Sequence, residues 1–125
     1  MAESRGLGDV YKRQEINDII KMTASIYTDD LDYEYENIDN KTKEDKIYDE
    51  LMELVSSGDL NAADECIFDN LNPNSMNYLK LALNFYKKIN ELDDDELKSM
   101  DFERGEIKSA VLEILDAYGI NFISK

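Results

Sequence analysis

SMNYLKLALNFYKKINEL, running from Ser75 to Leu92, constrains this chain most. Leu79, Ala82, Leu83, Tyr86 and Ile89 recur at helical spacing, and Leu81 and Phe85 widen the stripe. A helix apolar over so much of its surface must be packed round by other elements, so it is expected at the centre of the fold. Those neighbours read as helices too. Five Gly and one Pro are too few for a many-stranded sandwich. The alternation in LDYEYENI carries acidic residues that make a poor strand.

The remaining helices follow from stripes and caps. Ile16, Ile19, Ile20, Thr23, Ile26 and Tyr27 predict a first amphipathic helix from Glu15 to Tyr27. TDDLDYEYENIDNK, about 28–41, reads as an acidic linker that its like charges extend. Thr42 with Asp45 resembles a capping box, and Ile47, Leu51, Leu54 and Val55 form the stripe of a helix from Lys43 to Ser57. Gly58 suits its C-terminus. Asp59 caps a third helix on Leu60, Ala63, Ile67 and Leu71, which Pro73 ends. Ser75 caps the fourth. Asp93 and Glu96 open a short turn of helix through Met100. Ile107, Ala110, Val111, Ile114, Leu115 and Tyr118 mark the last helix, closed by Gly119, after which Ile120 and Phe122 are placed to fold back. The expectation is an all-α fold of five or six antiparallel helices in a small bundle.

Charge and missing residue types narrow function. The net charge of −15 is spread along the chain and repels phosphate backbones and anionic lipid, so no direct nucleic-acid or membrane partner is expected. No apolar run reaches bilayer length, and the opening residues lack a secretory pattern. A cytoplasmic location follows as an expectation. With no His, Ser-His and Cys-His triads cannot be built, nor can Cys/His zinc sites. Cys66 stands alone in ADECIF and reads as a core residue.

Candidate sites are few. A calcium loop begun at Asp30 needs Gly and Glu where Tyr35 and Lys41 stand, so a solvated acidic linker is the better reading. Asp93 to Asp95 read as partners of a helix dipole. GDLNAAD lacks the Lys and glycine spacing of a phosphate loop. Tyr86 and Phe85 belong to the core stripe. Tyr78 and Lys80 lie off it, which marks them as a candidate partner surface. No catalytic residue, cofactor or metal ligand is assigned, and the chain is expected not to be an enzyme.

GDLNAADECIFDNL, Gly58 to Leu71, resembles the turn and second helix of a tetratricopeptide repeat, with Gly58, Asp59, Leu60, Ala63 and Ile67 in the family's roles. Pro73 comes earlier than the family's closing Pro, and Leu51 stands where that family has a small residue. From about Ile16 onward, the order of that segment, YLKLALNFYKKINELDDDEL and DFERGEIKSAVLEILDAYGI is similar to a family of small uncharacterised proteins of clostridium-like Gram-positive bacteria. That resemblance carries no activity or site residue. It departs at Glu103, where the family has a Ser cap; with Gly105 following, a frayed start to the last helix is expected.

Asp9 to Gln14, DVYKRQ, is the translation of GAT GTG TAT AAG AGA CAG, the end sequence of a transposon adapter used for sequencing libraries. Residues 1–14 are therefore read as a non-native extension of metagenomic, bacterial origin, and 15–125 as a single helical domain. The leading functional expectation is a protein-interaction module for a basic or amphipathic segment, or for self-association. The alternative is an acidic inhibitor that mimics nucleic acid. A metal hydrolase built from Asp and Glu alone comes last, because helical metal sites usually use His.

Overall fold

A computed structural model of the protein describes residues 2–28 and 42–120. Among these residues there are six helices and no strand: α1 (Ala2–Tyr27), α2 (Lys43–Ser56), α3 (Leu60–Asp69), α4 (Met76–Asn90), α5 (Asp94–Ser99) and α6 (Arg104–Ala117). The acidic linker and its calcium-like pattern lie outside the described residues, except Thr28. So does Phe122.

α4 is central. It packs against α1, α2 and α6, and ten of its residues are buried, from Tyr78 to Asn90. α1 lies on α4 and α6, while α2 pairs with α3. Ile16, Ile20, Leu51, Leu60, Ile67, Ile107 and Ile114 complete one continuous core.

The helix starts follow local chemistry. Thr42 and Asp45 form a reciprocal capping box, as do Asp93 and Glu96. The carboxylate of Asp59 accepts from Ala62 N–H, and the hydroxyl of Ser75 accepts from Tyr78 N–H. α6 is better held than its sequence predicts. The Glu103 amide donates to Glu106 Oε2 at 2.9 Å, and Arg104 is buried in the first turn. The expected fraying is not found, because the Glu106 carboxylate holds the Glu103 amide and the Arg104 side chain anchors the first turn to the end of α4.

Three helix ends share one geometry. Gly58 (φ 82°) and Gly119 (φ 74°) take the left-handed conformation after α2 and α6, with amide bonds from Asp59 to Leu54 O and from Ile120 to Leu115 O. α5 ends the same way, but with Asp101 (φ 57°) in the glycine's place and the Phe102 amide donating to Leu97 O. Leu97 and Phe102 are both buried, so their contact supports the turn. Asn61 Nδ2 donates to Asp101 O at 3.0 Å and ties this turn to α3.

α1 corrects the sequence reading at both ends. It starts at Ala2 rather than Glu15. Once a helix is nucleated, each further residue adds a backbone bond, so it can extend past its apolar stripe. At the other end Ile26 (57% exposed) and Tyr27 (41%) are not core residues. Arg13 and Asn17 meet Asn90 at the end of α4, and the buried residues of α1 run onward from Ile16 to Ala24, so the two helices pack antiparallel with the last turn of α1 toward the start of α4. The bundle stops there, and Met76 is likewise exposed.

The C-terminus of α4 is a junction. Arg13 Nε donates to Asn90 O at 2.9 Å, and Arg13 Nη2 donates to Glu91 O. Arg104 Nη1 donates to both oxygens of Asn90, and Nη2 donates to Leu92 O and Asp94 Oδ1. Asn90 Nδ2 donates to Arg13 O and Asn17 Oδ1. Carbonyls left open by the helix end thus receive donors from α1 and α6.

Candidate functional site

Tyr78 is not a surface residue. It is 1% exposed, and its hydroxyl donates to Ile67 O at 2.6 Å, clamping α4 to α3. Burial pushes its phenol well above the ordinary range. Being off the main stripe did not expose it, because α4 is covered on nearly every side. Lys80, two residues on, is half-buried. The candidate surface built on this pair is therefore not available as an open face at Tyr78.

A groove of about 320 Å³ lies instead between α3 and α6. α3 contributes Asp64 and Phe68, one turn apart. α6 contributes Glu106, Ala110 and Glu113 along one face, with Glu103 at its cap. Phe68 and Ala110 make an apolar floor between carboxylates. None of the described residues lining the groove is basic.

Asp64 is the best-defined member. The fully buried Tyr86 donates its hydroxyl to Asp64 Oδ1, which fixes the carboxylate at the groove wall. Burial raises the Asp64 pKa above the usual carboxylate range. The Tyr86 bond opposes that rise, and the negative charges of Glu106 and Glu113 add to it. Burial also raises the Tyr86 phenol, with Asp64 contributing. The groove therefore carries negative potential that no described residue lining it neutralises. Among the described residues, no three acidic or thiol side chains converge closely enough to hold a metal ion.

Only part of this was visible in the sequence. Glu106 and Glu113 share a helix face at seven-residue spacing, which a helical projection shows. Asp64 joins them only because the fold sets α3 and α6 on either side of one groove, for which the sequence carries no signal. Cys66, half-buried on α3, accepts from Asn70 Nδ2, and burial pushes its thiol up, so it is not an activated nucleophile.

No helix among the described residues is long and apolar enough to cross a membrane. A model of a family of unknown function (DUF6483) matches residues 8–119, a span that takes in Asp9–Gln14 and all six helices in whole or part. No curated protein and no solved structure matches the chain.

Proposed function

We propose, for a chain that belongs to the DUF6483 family of unknown function, that it is a helical protein-interaction module whose α3–α6 groove takes a basic segment of a partner protein. One observation carries this reading. Asp64, Glu106 and Glu113 crowd one groove with no basic residue among the described ones lining it, and their mutual repulsion helps to raise the Asp64 carboxyl. A lysine or arginine from outside would relieve that repulsion, and Phe68 and Ala110 would meet the apolar side of an amphipathic segment. The tetratricopeptide-like α2–α3 hairpin and a cytosolic location belong to the same proposal.

The test compares two baits in lysate at low and moderate salt: the full chain and its Glu106→Lys/Glu113→Lys variant. Partners retained by the parent at moderate salt and lost by a variant of unchanged helicity support the reading. Partners shared equally by both sink it. A spread of basic proteins released steeply by salt favours the acidic mimic instead.

Self-association has its own supporting feature. Met22, Ile26, Tyr27 and Met76 are exposed apolar residues at one end of the α1–α4 pair. Sedimentation of the parent and of an Ile26→Lys variant separates it from the groove reading.

A further inference from the structure

The α3–α6 groove is more regular than a diffuse acidic surface. Two of its carboxylates are held from the protein side. Tyr86 donates to Asp64 Oδ1 on the α3 wall, and the Glu103 amide donates to Glu106 Oε2 on the α6 wall. Neither has to be ordered anew when a cation arrives. Along α6 the lining runs Glu106, Ala110, Glu113: an acid, a small apolar residue and an acid on one helix face. Glu106 and Glu113 are exposed, whereas Ala110 is 5% exposed and lies on the floor. The half-buried ring of Phe68 extends that floor from α3.

The spacing of the two glutamates decides which shape of segment fits. Seven residues of helix rise about 10.5 Å. An extended partner presents same-face side chains at about 6.6 Å and at multiples of it, which fall on either side of that interval. A helical partner laid along α6 has the same period as α6. Cations seven residues apart on its face are again about 10.5 Å from each other, with an apolar side chain one turn along between them.

Resting on the groove reading above, we infer that the occupant is an amphipathic helix of the partner protein, with cations seven residues apart and an apolar residue between them on the same face. The cations meet Glu106 and Glu113, the apolar residue covers Ala110 and Phe68, and Asp64 adds its charge from the opposite wall. The partner's pattern is the charge complement of the α6 face it lies on.

Three synthetic peptides of roughly fifteen residues test this by calorimetry against the full chain at moderate salt. The first is a stapled helix with Lys, Leu and Lys at positions i, i+4 and i+7. The second is stapled and identical in composition, with its second Lys moved to i+5 and so off the face. The third is the first without its staple and with a central Pro. The first should bind about fivefold tighter than either of the others, the worth of one exposed ionic contact. Glu113→Gln should bring the first down to the level of the second; Glu113 is exposed, so this variant keeps the fold. If the second or third peptide matches the first while Glu113→Gln still weakens them, the helix is wrong and the groove stands. Binding indifferent to Glu113→Gln, or no binding by any of the three, would overturn the groove reading and this inference with it.

Discussion

Arg104 Nη1 donates to both oxygens of Asn90, the backbone carbonyl at 2.8 Å and the side-chain oxygen at 3.2 Å. One buried arginine at the start of α6 thereby closes the end of α4. Arg104→Met should destabilise the fold by about 3 kcal/mol, because it removes the donor to the Asn90 side-chain oxygen and to the Leu92 carbonyl, leaving the Asn90 carbonyl to Arg13 alone. Urea denaturation reads this directly. A loss below 1 kcal/mol would show that water replaces the guanidinium without penalty.

Asp101 holds a left-handed conformation (φ 57°) that glycine adopts without strain. Asp101→Gly should therefore stabilise the protein by about 1 kcal/mol, with its backbone bond from Asn61 retained. A higher urea midpoint with an unchanged slope confirms it; a lower midpoint would mean that the Asp side chain makes the turn favourable.

Tyr78→Phe separates structure from recognition. It removes the hydroxyl donor to Ile67 O and should lower stability by about 1.5 kcal/mol. Partner capture at low temperature should be unchanged, since Tyr78 presents no surface. A specific loss of capture without loss of stability would restore Tyr78 as a contact residue.

The raised Asp64 carboxyl makes stability depend on pH. Between the ordinary aspartate range and its raised value, the folded protein binds more protons than the unfolded chain, so this group's contribution falls as pH rises. Asp64→Asn keeps an acceptor for Tyr86 and removes the titration. The variant should gain on the parent as pH climbs from about 4 toward neutrality. Paired urea midpoints across that range check it, and a constant gap would show that Asp64 titrates normally.

Ile20→Ala and Ile26→Ala should differ sharply although both belong to one apparent stripe. Ile20 is fully buried and its truncation should cost about 3 kcal/mol, whereas Ile26 is 57% exposed and should cost less than about 0.5.

Local chemistry was legible in the sequence; closure of the bundle was not. Thr42, Asp59, Ser75 and Asp93 announced their helices because a capping side chain acts on amides two or three residues away. Leu79, Leu83 and Tyr86 announced the centre because an unusually broad stripe has few resting places. Tyr78 was misread because periodicity ranks the faces of one helix and does not show how many neighbours it has. Asp101 was hidden because aspartate so often signals a cap or a plain turn. Arg104, Asn90 and Arg13 escaped because polar residues meeting across 14 and 77 positions leave no periodic trace. Asp64 reached the groove for the same reason.

α1 finds its principal neighbours in α4 and α6, far along the chain, and not in α2. During synthesis it leaves the ribosome ahead of both neighbours and stays uncovered until they follow. Ile16 and Ile20 wait in water until α4 has been made, and their side of the core is complete only when α6 follows. The α2–α3 hairpin, whose contacts are local, can form long before. A nascent chain arrested ahead of Arg104 should therefore be the species that chaperones hold, and release of the last helix the step that frees it.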